Sequence, residues 1–396
     1  MNDTAIWITG FGVLSALGRG EASLGPALGD EAGGVRPDLE LGGRPAGRCL
    51  EPLADRHLRR LDRTARLFVS AAEDAWENAG LAGVELAGER TAVLEGSSAG
   101  AIPGLIECLG APGHRHRGPT ALVRYMAGAG SAAFAQAHGL DGPVHCLSAG
   151  SVSAACALGE AYEMLRAGRV DCVLAGGAEA PLTPELVALF EEAGILAAAV
   201  DGEPACCRPF DVRRNGTVPG EGAAVFVLET ETHARARRAV PRAALLGYGV
   251  ASEPGSMVAP DATGRGVTAA ARRALATATE PPAWIKAHGT GTRLGDPAEI
   301  NGLAALFGAG LREIPVTSLK PRLGHTLGAS GAVEAAVALL ALDARVVPPT
   351  LNTHEIDSAL PPCRVATEPL QAGRGAVLLV SEGFGGRAAA LLLGRL

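Results

Sequence analysis

The chain has 396 residues, a formal net charge of −7, 47% hydrophobic residues and only 4% aromatic ones. A chain of that length buries a large core, here built from Ala, Val and Leu, with 54 glycines allowing close layer packing and tight turns. The acidic balance carries no long like-charge block, which argues against a nucleic-acid surface, and no apolar run reaches about 18 residues without a charge or a glycine cluster, which argues against a membrane span.

In chain order, residues 6–13 read as a strand entering a Gly turn, and residues 18–48 as a polar, Gly/Pro-rich surface stretch. A helix is expected over 62–79, with Ala65, Phe68, Val69, Ala72 and Trp76 on one face and Gly80 as its stop. A strand at 91–94, a helix at 121–138, a strand at 144–147, a small-residue helix at 151–167 and a strand at 172–175 follow. Residues 220–229 are a Gly turn and a buried strand, and the charged run 230–242 reads as a linker. This alternation predicts an α/β protein with a mostly parallel sheet and helices on its faces.

A second half begins near Ala243 and repeats the same grammar. Ser148-Ala149-Gly150-Ser151 leads into an Ala-rich helix as Gly324-His325-Thr326-Leu327-Gly328-Ala329 does, and Leu94-Glu95-Gly96-Ser97-Ser98 ends a strand as Ala287-His288-Gly289-Thr290 does. Two related halves, 1–242 and 243–396, are therefore expected to pack about a pseudo-twofold, with a site where their loops meet.

The two histidine loops carry the chemistry. Each follows a strand-like run, at 283–285 and 314–317, and each sets an imidazole among glycines and hydroxyls before a helix. Two converging Nε2–H donors stabilise negative charge developing on a carbonyl or enolate oxygen. Lysine occurs twice, at Lys286 and Lys320, so Lys320 beside the second histidine loop is not generic surface charge. The eight cysteines show no Cys-x-x-Cys pair and no zinc spacing, so no metal site and reduced thiols in a cytoplasmic protein are expected. Met1-Asn2-Asp3-Thr4 lacks a basic n-region, and no signal peptide is expected.

Taken in order, Ile8-Thr9-Gly10-Phe11-Gly12, Ala175-Gly176-Gly177-Ala178-Glu179, Arg208-Pro209-Phe210-Asp211 with Gly220-Glu221-Gly222, His288-Gly289-Thr290-Gly291-Thr292, Lys320 with Gly324-His325, Pro348-Pro349-Thr350-Leu351-Asn352 and Gly383-Phe384-Gly385-Gly386 resemble the β-ketoacyl-acyl-carrier-protein synthases of fatty-acid and polyketide assembly. The resemblance covers nearly the whole chain. It implies a thiolase-like five-layer αβαβα architecture, a homodimer or a heterodimer with a second ketosynthase-like chain, and acyl and malonyl substrates carried on the phosphopantetheine of an acyl carrier protein, with no other cofactor. It also implies catalytic roles for His288 and His325 with Lys320 in their network, and substrate contacts at Thr290, Thr292, Gly383, Phe384 and Gly385. The acyl channel is expected around residues 101–116.

The departures from the family pattern bear on function. Aligning Leu158-Gly159 with the family's nucleophile helix places its cysteine at Ser151, and Cys146 and Cys156 lie five residues to either side. Glu382 stands where a phenylalanine is usual, and Arg387-Ala388 replaces a Thr-Asn pair. A serine hydroxyl is not ionised near neutrality, so Ser151 needs a neighbouring base, and its ester is a weaker electrophile than a thioester. Four readings of Ser151 stand: a working nucleophile, the mark of a malonyl decarboxylase, the mark of a non-elongating partner subunit resembling a chain-length factor, or an engineered Cys→Ser change.

Other patterns compete. Gly96-Ser97-Ser98-Ala99-Gly100 matches the Gly-x-Ser-x-Gly elbow of α/β-hydrolases, and Gly10-x-Gly12 is a fragment of a dinucleotide fingerprint better used for strand–helix packing. Glu299 and Glu334 are expected to support the site rather than act in it, and Phe384 reads equally as a gate or a core aromatic.

Overall fold

The computed structural model describes residues 5–29, 33–53, 60–84, 86–110 and 122–396. The first half contributes β1 (Ile6–Ser15), α1 (Arg63–Asn78), β2 (Thr91–Gly96), α2 (Ala129–Ala137), β3 (Val144–Leu147), α3 (Ser153–Arg166), β4 (Cys172–Glu179), β5 (Gly222–Thr230) and α4 (Glu231–Ala236). The second contributes β6 (Ala243–Ser252), α5 (Arg265–Ala274), β7 (Trp284–Lys286), α6 (Gly295–Phe307), β8 (Pro315–Thr317), α7 (Lys320–Leu323), α8 (Ser330–Ala344), β9 (Val377–Gly383) and β10 (Arg387–Gly394).

Pairing in the two halves is the same. β1 runs antiparallel to β5, β5 antiparallel to β4, and β4 parallel to β2, which is parallel to β3. β6, β10, β9, β7 and β8 repeat that sequence of directions strand for strand. The halves join where Ile6–Ile8 of β1 pair with Ala243–Leu245 of β6. The sheet is thus mixed rather than mostly parallel. The tight turn through Phe384, Gly385 and Gly386 permits only an antiparallel hairpin between β9 and β10, and the matching β4–β5 pair is antiparallel too.

Three cores separate the layers. Helices α1 and α2 pack outside the first half, α5 and α6 outside the second, and α3 and α8 fill the middle between the two sheet regions. The middle layer explains the composition. Residues Leu327–Ala344 are apolar enough by length to cross a membrane, but that stretch is 78% buried inside the protein, as a helix apolar on all sides must be in a water-facing fold.

Small residues set the spacing. A Cβ on Gly12 would lie 2.2 Å from the Ala71 carbonyl oxygen of α1, so the glycines of β1 serve strand–helix packing as expected. Two expected elements differ. The helix at 121–138 is shortened to α2, because Gly128 enters it at φ 83° in the left-handed region; residue 121 lies outside the described residues. The 230–242 linker contains α4, capped by the Thr230 hydroxyl accepting from the His233 amide.

Helices α3 and α8 meet where a Cβ on Gly331 would sit 2.7 Å from the Ala155 backbone nitrogen. Gly331→Ala is expected to destabilise the fold by roughly 1–3 kcal/mol through overpacking against backbone. Urea denaturation checks this, and an unchanged midpoint would show that the two helices are free to separate.

Candidate active site

The pseudo-twofold brings the leading ends of the two middle helices together. Ser151 lies just ahead of α3 and His325 just ahead of α8, and Ser151 Oγ is 3.1 Å from His325 Nε2. His288, at the end of β7, presents its ring edge-on to His325, with centroids 5.2 Å apart at 82°. β7 and β8 are parallel neighbours in register Lys286 to Thr317, which delivers both histidine loops to one sheet edge. The three residues that the sequence singled out are therefore brought together at one point.

Each loop is clamped from below. The Glu299 carboxylate accepts the backbone N–H groups of His288 and Gly289, the latter at 2.8 Å. Asp296 accepts Phe210 N–H at 2.7 Å and Gly291 N–H at 3.0 Å. Gly289 has φ 43° and Gly291 φ 73°, left-handed conformations that a side chain resists. His325 is threaded between Val218 and Gly220, its N–H donating to Val218 C=O and its C=O accepting from Gly220 N–H. Glu179, the last residue of the Ala-Gly-Gly-Ala-Glu run, ties the halves together by accepting Ser97 Oγ–H, Ser98 N–H, Ala99 N–H and, across the middle layer, Gly328 N–H. Burial pushes the Glu179 and Glu299 carboxyls up to about 7, against the pull of these N–H donors.

Beneath the imidazoles lies a dry ion network. Lys320 Nζ is 3.3 Å from His288 Nδ1 and 2.7 Å from Glu334 Oε1, while Lys286 Nζ bonds the other Glu334 oxygen and the Val380 carbonyl. All three side chains are essentially inaccessible to solvent. Burial raises the Glu334 carboxyl, but the two lysines beside it more than reverse that and hold it below the usual range. A lysine Nζ only donates, so His288 Nδ1 is the acceptor, and the ring carries its proton on Nε2. Burial, then the nearby Lys320, pushes both imidazoles well below their usual pKa. Both rings are therefore neutral near pH 7.

The remaining candidates sort out by geometry. The Phe384 side chain is 53% exposed, which removes the core-aromatic reading, and a Cβ on neighbouring Gly383 would lie 3.1 Å from the Ser151 nitrogen. Gly385 N–H donates to Met257 C=O, pinning the turn. The Thr290 and Thr292 hydroxyls bond each other at 2.9 Å. Cys146 sits in β3 with its thiol pushed up to about 12 by burial, and Cys156 is buried in α3 with its thiol also raised, so neither is an activated nucleophile. Ser98 has no histidine partner among the described residues, against the hydrolase elbow. The Glu382 residue is half-buried, its carboxyl makes no hydrogen bond or ion pair to the described residues, and burial, then Glu299, Glu253 and Asp296, hold it well above the carboxylate range.

Asp296 and Ser330 were not singled out by the sequence, and Glu179 entered only as the end of the Ala-Gly-Gly-Ala-Glu run, without a role at the site. His325 Nδ1 is 3.0 Å from Ser330 Oγ, itself 3.2 Å from Thr326 Oγ1. A cavity of about 240 Å³ lies beside the trio on the β3 side, lined by Ser97–Ile102, Leu105, Tyr125, Ala127 and Ser148. None of the three catalytic candidates lines it, so the cavity does not run up to them as the expected channel would; residues 111–116 of that expectation lie outside the described residues.

Duplicated halves around two middle helices, with paired imidazoles at their leading ends, define a thiolase-fold condensing-enzyme class of protein. The comparisons agree. The family descriptions "Beta-ketoacyl synthase, N-terminal domain" and "Beta-ketoacyl synthase, C-terminal domain" match residues 49–234 and 242–354, and the chain belongs to that β-ketoacyl synthase family. It is 33% identical over 405 residues to 3-oxoacyl-[acyl-carrier-protein] synthase 1 of Haemophilus influenzae, covering 98% of each chain. Among solved structures it resembles a β-ketoacyl synthase from Burkholderia phymatum, with a TM-score of 0.90 and 32% identity over 99% of this chain and 100% of that one. The ishigamide ketosynthase/chain length factor gives a TM-score of 0.88 and 30% identity over 99% of each chain.

Two outcomes are expected. Glu334→Gln leaves two buried ammonium groups without their counter-charge and should cost roughly 3–5 kcal/mol in urea denaturation, whereas a loss below about 1 kcal/mol would mean the network is not dry. The ring C–H resonances of His288 and His325 should keep their neutral positions from about pH 8 to about pH 6, since both rings are held below the usual histidine value near 6.5. A midpoint near 6.5 for either would contradict the burial.

Proposed function

We propose that this chain is a ketosynthase-type acyltransferase acting on acyl and malonyl groups borne by the phosphopantetheine of an acyl carrier protein in fatty-acid or polyketide assembly. It works in the cytoplasm without metal or further cofactor, as a homodimer or as a heterodimer with a second ketosynthase-like chain. Its units are 1–242, bearing Ser151 where the family has cysteine, and 243–396, bearing both histidines. One observation carries the reading: two neutral imidazoles meet edge-on at 5.2 Å, with the Ser151 hydroxyl 3.1 Å from one of them. A similar solved structure, 26% identical with a TM-score of 0.89, is a type II polyketide ketosynthase in complex with its acyl-carrier protein.

His288 and His325 act as donors to the thioester carbonyl, Lys320 positions His288, and Thr290, Thr292, Gly383, Phe384 and Gly385 contact substrate. The step this site supports most fully is decarboxylation of the malonyl group. The C–C bond to the carboxylate breaks, its electron pair enters the thioester as an enolate, carbon dioxide leaves, and the enolate carbon takes a proton from water. The enolate oxygen is held by the imidazole N–H groups, and removing one such donor costs about 10²–10³ in rate. Acylation of Ser151, and hence chain elongation, is slow, because its hydroxyl lacks the thiolate character that a helix end confers on cysteine.

Incubation with malonyl- and acyl-loaded carrier protein, followed by carbon dioxide release and intact-protein mass, tests this. Release should fall by about 10²–10³ in His288→Ala and in His325→Ala and persist in Ser151→Ala, with any acyl adduct confined to the wild type. Neither release nor adduct would make the chain a non-catalytic partner subunit.

A further inference from the structure

The orientation of the His325 proton follows from counting hydroxyl protons behind it. Three buried groups form a line leading to Ser151: Thr326 Oγ1, Ser330 Oγ at 3.2 Å from it, and His325 Nδ1 at 3.0 Å from Ser330. Thr326 and Ser330 are 1% and 0% exposed. Among the described residues, neither hydroxyl has a further side-chain hydrogen bond. Neutral His325 carries one ring proton, so the line runs in one of two directions.

If Ser151 donates to Nε2, then Nδ1–H donates to Ser330, Ser330 donates to Thr326, and the Thr326 proton is left unpaired in the interior. If instead Thr326 donates to Ser330 and Ser330 donates to Nδ1, the ring proton sits on Nε2 and points at Ser151 Oγ. Every buried proton then has an acceptor. The loose proton falls on Ser151, which is partly open to the site. An unpaired buried hydroxyl is disfavoured by a factor of roughly 5 to 150, which decides the direction.

We propose that Ser330, oriented by Thr326, is a positioning residue that locks His325 as the Nε2–H tautomer, so that His325 donates to Ser151 and to a substrate oxygen and does not take the Ser151 proton. His288 is held in the same tautomer by Lys320, so the site is a matched pair of donors with an unactivated serine between them. The functional consequence rests on the proposed carrier-thioester reading: it places carbonyl polarisation and decarboxylation ahead of serine acylation. The tautomer itself does not depend on that reading.

The test is a long-range ¹H–¹⁵N correlation of the full chain labelled with ¹⁵N-histidine at about pH 7, with His325 assigned by its loss in His325→Asn. In the wild type, Nδ1 is expected at the unprotonated position and Nε2 at the protonated one. Ser330→Ala should draw both nitrogens towards averaged values and lower carbon dioxide release about tenfold, less than the loss of a whole donor. Ser330→Thr should restore both, and Thr326→Val should shift the nitrogens in the same sense as Ser330→Ala. A protonated Nδ1 in the wild type overturns the proposal, whatever the folding of the variants, and so does an unchanged tautomer in folded Ser330→Ala. The expected tautomer with neither carbon dioxide release nor acyl adduct would leave Ser330 in its assigned place and defeat the proposed function instead.

Discussion

The site depends on one carboxylate placed where a carboxylate is costly. Glu334 lies within α8, a helix buried on nearly every side, and receives both lysines of the chain. Two ammonium groups and one carboxylate in a dry interior each carry a desolvation penalty of several kcal/mol, offset only by close geometry and added hydrogen bonds. The Val380 carbonyl on Lys286 and the His288 ring on Lys320 supply those bonds. The network therefore stitches β7, β9 and α8 together, and its outermost contact sets the proton position on a catalytic candidate. Stability and chemistry share the same atoms.

The second constraint is duplication. Matched strand directions in the halves place α3 and α8 side by side, so their leading ends arrive at a common point without any long loop. Glu179 reinforces the junction by accepting an N–H from each half. Neutral imidazoles suit such a place, because a charged ring there would add a cation beside Lys320 and Lys286. On the proposed reading, what the arrangement offers a substrate is oriented N–H dipoles at a buried corner, which act on developing charge without reorganising.

Much of this was legible in the residues. Strand–Gly–helix punctuation exposed both histidine loops, the scarcity of lysine marked Lys320, and the likeness of the 148–151 and 324–329 runs marked the duplication. Strand direction was not legible, since a buried strand reads alike in a parallel or an antiparallel pair, and here short turns and returns decided it. Nor was the partner of Glu334, because periodicity places a residue on a helix face but does not say which charge crosses the layer to meet it. Ser330 was invisible for a related reason: a serine in the first turn of a helix reads as a cap, and only coordinates put its hydroxyl behind an imidazole. The α4 helix was missed because a charged run reads as linker, although Thr230 was a cap in plain view.

The burial of Lys286 and Lys320 has a consequence beyond the site. Of 35 basic residues only these two are lysines, and both are sealed inside and bonded to Glu334. Every other basic side chain is a guanidinium, which stays protonated and is a poor nucleophile. The exterior thus presents no ε-amine to activated acyl compounds, and on the proposed carrier-thioester reading no lysine at the surface is open to spontaneous, irreversible acylation.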